Sequence, residues 1–201
     1  MSLTEKIFKQ ITQNNPGWVF TPVDFLNLGT PHAVGMVLLR LTQKKKIRKL
    51  AHGLYDIPKE HAILGPLTPS PDAVANALAK RDCLQIQPSG AYAANLLRLS
   101  DQVPAKITYL CNASPRTIKI GKQTIQFSKS SMRRMAAAGR MSGLVFEALR
   151  YLGKQQVTQE KVTPLRKLLS EQDRHQLTQD IRLAPVWMHK IIRFIAGIEI
   201  S

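Results

Sequence analysis

Thr21-Pro22-Val23-Asp24-Phe25-Leu26-Asn27-Leu28-Gly29-Thr30-Pro31-His32 contains two helix starts and one helix stop. Each Thr-Pro pair offers a capping hydroxyl followed by a proline at the first helical position, where the missing N–H is no loss. An acid three residues after Thr21 and a glycine after Leu28 complete the pattern of a helix of about two turns, a tight turn and a longer helix. That spacing predicts a helix-turn-helix. Upstream, Leu3, Ile7, Phe8 and Ile11 recur at helical spacing, so residues 2–13 read as a first helix. Asn14-Asn15-Pro16-Gly17 breaks it, and Trp18-Val19-Phe20 is β-prone.

Downstream of Thr30, Val34, Val37, Leu38 and Leu41 share one helical face and predict burial. His32, Met36, Arg40 and Gln43 lie opposite, with Lys44 at the edge; Ala33 and Gly35 are small enough for a close approach to a groove wall. The helix runs into Lys44-Lys45-Lys46, and two short β-like runs around Ala51-His52-Gly53 predict a hairpin. Helix, strand, helix, helix and hairpin in this order predict a winged helix-turn-helix over residues 1–60. In such a module the last helix enters the major groove, so His32 and Arg40 are the candidates to reach base edges. Thr30, Lys44, Lys45, Lys46, Arg48, Lys49 and His52 are the candidates to hold phosphates and position the wing.

The charge balance points the same way. The chain of 201 residues holds 29 Lys and Arg against 13 Asp and Glu, a formal net charge of +16. Residues 25–55 and 102–146 contain no acid, and both halves of the chain are basic. Such an excess repels itself unless a polyanion neutralises it. The second window supplies a second basic surface of Arg116, Lys119, Lys122, Lys129, Arg133, Arg134 and Arg140. An apolar fraction of 44% excludes a disordered tail. No apolar stretch reaches the roughly 18 residues of a membrane span, and the opening Met-Ser-Leu-Thr-Glu-Lys lacks the features of a signal peptide. Two cysteines, Cys83 and Cys111, exclude a disulfide scaffold and read as core thiols, so a cytoplasmic protein is expected.

Residues 61–70 are rich in Pro and Gly and predict a linker to a second domain over 71–201. There, Ser70-Pro71-Asp72 starts a helix, another follows Gly90, and Lys106–Cys111 alternates as a strand. Residues 117–120 and 123–127 alternate around Gly121-Lys122, a two-residue turn of the second primed type. Beyond Met141 the pattern is helical, with one helix ending at Gly153, one following Pro164 and a last apolar helix around Trp187–Ile198. The expected fold class is α+β: a winged helix-turn-helix, then a mixed domain with a small antiparallel sheet and C-terminal helices.

Two stretches resemble one family. Gly17-Trp18-Val19-Phe20-Thr21-Pro22-Val23-Asp24-Phe25-Leu26 and Gly53-Leu54-Tyr55-Asp56-Ile57-Pro58 are similar to the N-terminal domain of AbiEi-type antitoxins. Pro88-Ser89-Gly90-Ala91-Tyr92-Ala93-Ala94-Asn95-Leu96-Leu97 and Gln102-Val103-Pro104-Ala105-Lys106 resemble the start of their C-terminal domain. Together the matches cover about half of the chain. The resemblance implies a bacterial type IV toxin–antitoxin operon. Its N-terminal domain would repress the operon at inverted repeats, and its C-terminal domain would counteract a nucleotidyltransferase-like toxin without forming a tight complex. A two-fold operator needs two copies of the module, so dimeric or cooperative binding to double-stranded DNA is expected.

Enzyme chemistry finds no support in the residues. His32, His52, His61, His175 and His189 lack metal-ligand spacing, so no metal or cofactor is expected. Ile120-Gly121-Lys122 is a turn between strands, not a phosphate loop, and Ser89 reads as a helix cap before Gly90. The other class left open is an RNA-binding module or a direct protein inhibitor built on the basic second domain. Its hairpin offers mainly Phe127 and Tyr109 for stacking, both on the apolar face, which argues against RNA.

Overall fold

The structure, a computed structural model, describes residues 1–198. It is mixed α+β and divides into two compact units: Met1–Leu84 with Lys119–Gln123, and Gln85–Ile118 with Thr124 onward. The sequence placed a linker at 61–70, but residues 60–66 pair as a small hairpin, and the helix after them belongs to the first unit.

In the first unit, helix α1 (Leu3–Thr12) is closed by a capping box between Ser2 and Glu5, and buries Ile7 and Ile11. Strand β1 (Val19–Phe20) leads into a single 3-10 turn, Pro22–Phe25, where a two-turn helix was expected. Asp24 does cap the turn, accepting from the Thr21 backbone N–H at 2.8 Å and from its hydroxyl at 3.2 Å. The turn goes no further because Phe25 alone is buried, while Val23 and Leu26 are about two-fifths exposed. A longer helix here would have no stripe to bury. Helix α2 (Pro31–Gln43) begins as predicted, the Thr30 hydroxyl accepting from the Ala33 N–H, and buries Val34, Val37, Leu38 and Leu41.

Strands β2 (Arg48–Ala51) and β3 (Leu54–Asp56) form the expected hairpin, with β1 on the far side of β3. All pairings in this sheet are antiparallel, with an irregularity between Lys49 and Ala51. The core of α1, α2 and the sheet is partly aromatic: the Phe20 ring lies 5.5 Å from Phe25 and 6.1 Å from Tyr55. A second hairpin, β4 (Glu60–His61) and β5 (Gly65–Pro66), and helix α3 (Pro71–Arg81) complete the unit.

Strand β6 (Ile86–Ser89), helix α4 (Gly90–Leu96) and strands β7 (Lys106–Cys111), β8 (Arg116–Ile120) and β9 (Gln123–Lys129) follow, all in the second unit except Lys119–Gln123 at the β8–β9 turn. The sheet runs β6-β7-β9-β8. The expected hairpin of β8 and β9 is present, with positive φ at Gly121 and not at Lys122. The sheet is not wholly antiparallel, because β9 lies parallel to β7 from Lys106↔Thr124 to Cys111↔Lys129. The connection 112–115 carries the chain past one strand position, and β9 returns into the gap. β7 is thereby interior, with Ile107, Tyr109, Leu110 and Cys111 all buried.

Helices α5 (Met132–Met135), α6 (Met141–Leu152), α7 (Gln159–Leu168), α8 (Glu171–Gln179) and α9 (His189–Ala196) follow. The chain does not wait for Pro164: Thr158 caps α7 and the proline lies inside the helix. The last helix docks internally, with Ile191, Ile192 and Ile195 in the same core as Leu149 and Leu165. Cys111 is a core thiol, but Cys83 is exposed, since it follows α3 at a left-handed φ of 52°. Among the described residues no helix is long and apolar enough to cross a membrane.

Candidate nucleic-acid interface

Helical periodicity turns His32, Met36, Leu39, Arg40 and Gln43 away from the buried stripe of α2, and all five are exposed. Leu39 was not among the predicted residues of this face. The helix then ends on a Schellman motif: the Lys45 N–H donates to Thr42 O at 2.9 Å and the Lys46 N–H to Leu41 O at 3.0 Å. This closes with Lys45 at φ 54°, a left-handed position that usually takes glycine. The motif reverses the chain and leaves Lys44, Lys45 and Lys46 exposed between α2 and β2.

Strand alternation then separates neighbours that the sequence treated alike. Lys49 is exposed, as is His52 in the β2–β3 turn. Arg48 faces its cross-strand partner Asp56, which is fully buried. Its guanidinium donates to both Asp56 oxygens, at 3.0 and 2.6 Å, and to the Leu67 carbonyl at 2.7 Å. The hydrogen bond to Asp56 is the main cause raising the Arg48 pKa. Arg48 therefore fastens the segment after β5 to the sheet. Thr30 is likewise committed in part, as the cap of α2.

Four acids of this unit, Glu5, Asp24, Asp56 and Asp82, are engaged by groups other than Arg40 and the exposed lysines of α2 and β2. Asp24 pairs with Lys80 at 2.5 Å, Asp56 with Arg48, and Asp82 with Arg81 at 2.7 Å. Glu5 closes the α1 cap. Arg40, Lys44, Lys45, Lys46 and Lys49 make no ion pair among the described residues. The unit thus presents a helix face and a hairpin on which Arg40, Lys44, Lys45, Lys46 and Lys49 are exposed.

The residues of the predicted second basic surface are differently engaged. Lys119 and Lys122 are exposed at the β8–β9 turn, and Lys129 is exposed at the far end of β9. The Arg116 guanidinium lies 4.8 Å above the Phe127 ring. Arg140 pairs with buried Asp180 at 3.2 Å, and Asp180 also accepts from Ser142 at 2.5 Å and Gln176 at 3.2 Å. Arg134 makes a bidentate pair with Glu147, at 2.7 and 2.5 Å.

Glu147 lies on α6 and is only 2% exposed. The Ser89 hydroxyl donates to its Oε2 at 2.8 Å, so Ser89 satisfies a buried carboxylate and does not use its side chain to cap α4. The Arg150 Nε lies 3.3 Å from Glu147 Oε1 without a hydrogen bond. Burial lowers the Arg150 pKa despite Glu147, and the charges of Arg134 and Arg133 lower it further. These arginines line a pocket of about 440 Å³ with Ser131, Leu183, Pro185 and Val186. Arg150 was not foreseen; its spacing of three from Glu147 on α6 was the available signal.

Residues 6–177 match a family of unknown function, DUF6088. The chain belongs to this family. The DUF6088 match takes in the whole cationic strip of α2 and β2, and also Ser89, Arg133, Arg134, Glu147 and Arg150. The apolar pocket wall at 183–186 lies beyond it. No curated protein matches the chain. Among solved structures, this DUF6088 chain is similar to the RV2827C protein from Mycobacterium tuberculosis, at 12% identity and a TM-score of 0.46, covering 97% of this chain and 76% of that one.

Proposed function

We propose that this DUF6088 protein is a DNA-binding repressor of its own operon, acting through an N-terminal winged helix-turn-helix. The observation that carries the reading is the run of unpaired cations from Arg40 through Lys44, Lys45 and Lys46 to Lys49, in a unit where Asp24, Asp56 and Asp82 pair with other cations. In this reading α2 enters the major groove, with His32 in its first turn and Arg40 about two turns later reaching base edges. The lysines and His52 neutralise phosphates on either side. Arg48 holds the second hairpin in place and contacts no DNA. The 3-10 turn Pro22–Phe25 replaces the first helix of the motif.

The resemblance to AbiEi-type antitoxins extends the proposal to a type IV antitoxin, whose second unit counteracts a nucleotidyltransferase-like toxin. An RNA-reading second unit draws less support, because Tyr109 and Phe127 are buried against one another at 5.8 Å and offer no stacking platform.

The test is a gel-shift titration on the protein's own promoter and on a scrambled duplex, at two salt concentrations. A preference for the promoter of about a thousandfold or more is expected of a specific binder. Equal, salt-sensitive affinity for both duplexes would remove the repressor reading and leave α2 and β2 as a non-specific cationic surface.

A further inference from the structure

We propose that the pocket bounded by Arg133, Arg134, Arg150, Leu183, Pro185 and Val186 binds a phosphomonoester carried by a small molecule. All of these residues belong to the second unit, so the proposal is independent of DNA binding by the first.

The argument begins with charge. Three guanidinium groups line the pocket, and two of them, Arg134 and Arg150, pair with one carboxylate, Glu147, leaving two positive charges in excess. A phosphomonoester carries about −1.5 to −2 at neutral pH, which matches that excess; a backbone phosphodiester carries about half as much. The carboxylate already accepts three hydrogen bonds: Oε1 accepts from Arg134 Nε, and Oε2 accepts from Arg134 Nη2 and Ser89. Arg150 Nε lies 3.3 Å from Glu147 Oε1, yet this buried atom has no hydrogen-bond partner among the described residues. Burial is the first cause of the lowered Arg150 pKa, against the pull of Glu147, and the charges of Arg134 and Arg133 lower it further. Arg133 is exposed and unpaired among the described residues. A planar guanidinium fork suits a phosphate, which offers acceptors in the geometry of two parallel N–H groups.

Shape supplies the rest. A volume of about 440 Å³ lies within the range of small-molecule sites. One wall is apolar, and Val186 in it is 81% exposed, a cost that an apolar or planar body beside the phosphate would remove. An inorganic anion would leave that wall wet.

Isothermal titration of the full chain with inorganic phosphate and with adenosine 5′-monophosphate, at fixed ionic strength, tests this. Saturable one-to-one binding of both is expected, with the nucleotide tighter. Arg133→Gln and Arg150→Gln should each weaken it about tenfold, the loss of one charge-assisted hydrogen bond, with unchanged circular dichroism. Lys46→Ala should leave it intact, which separates this pocket from the cationic strip of the first unit. No saturable uptake of either probe, or equal uptake by the parent and both arginine variants, overturns the proposal. So does displacement of phosphate from this pocket by a duplex lacking terminal phosphates at affinity above that of the nucleotide, since the backbone would then be the ligand.

Discussion

Lys45 combines a conformational cost with a binding role. Its left-handed φ costs an L-residue roughly 1–2 kcal/mol, a cost glycine avoids. Lys45→Gly should therefore raise the unfolding free energy by about 1 kcal/mol in a urea titration, while weakening duplex binding through the lost cation. Lys45→Ala should weaken binding without the gain in stability. If the glycine variant is the less stable of the two, the left-handed assignment is wrong. Tyr55 gives a pH-dependent counterpart, because burial raises its phenol above the ordinary value of 10.0. The folded chain then keeps a proton that the unfolded chain releases, so stability is full below pH 10 and falls as pH rises beyond it. Tyr55→Phe should lose less stability than the parent between about pH 9 and about pH 11. The same scale shows what the sequence withholds. Arg48 and Lys49 are adjacent in one basic run, and only strand alternation against Asp56 turns the first into a structural residue. Lys45, Cys83 and Arg98 each close a helix at positive φ, and a rule that looks for glycine at helix ends passes over all three.

Helix starts were legible because they are local chemistry: Thr30-Pro31 and Ser70-Pro71 both cap helices where the sequence placed them. Helix extent was less so, since it depends on what the element can bury. The segment after Thr21 has one buried anchor and remains a 3-10 turn. Helix α8 is polar nearly all round, with only Leu177 buried, so no apolar period announced it. Two helical glycines turn this into a prediction. At Gly35 on α2 an added Cβ meets nothing within 4 Å, so Gly35→Ala should stabilise the protein by about 0.5–1 kcal/mol through helix propensity alone. At Gly143 on α6 the same atom would lie 2.3 Å from the Ala137 carbonyl oxygen and 2.7 Å from Gln87 Oε1. Gln87 Oε1 also accepts the Gly139 N–H, so neither neighbour is free to retreat. Gly143→Ala should cost about 1–3 kcal/mol, the range of an overpacked core. Thermal melts of the two variants should shift in opposite directions. If the Gly35 variant also binds duplex DNA more weakly than the parent, the close approach of α2 to a groove wall gains direct support.

At the scale of the whole chain, a net charge of +16 says only that an anion is wanted; its usefulness depends on how much of it is already paired. In the first unit Asp24, Asp82 and Asp56 engage Lys80, Arg81 and Arg48, and this pairing could not be counted from composition. The consequence is a sharp division of labour within one strip. Each lysine that meets a phosphate releases counterions, so the slope of log affinity against log salt should flatten by about 0.9 when one is removed. Lys46→Ala should therefore weaken promoter and scrambled duplexes equally and flatten both slopes by about one. Arg40→Ala should cost about 1–3 kcal/mol on the promoter alone, the worth of one base contact. Arg48→Ala should leave the slope unchanged at salt and temperature where it remains folded, because its guanidinium is occupied by Asp56 and the Leu67 carbonyl. Fluorescence anisotropy over a salt series for these three variants gives three different signatures. If Arg40→Ala and Lys46→Ala coincide on both duplexes, α2 contributes charge without reading bases, and the strip is a general polyanion surface.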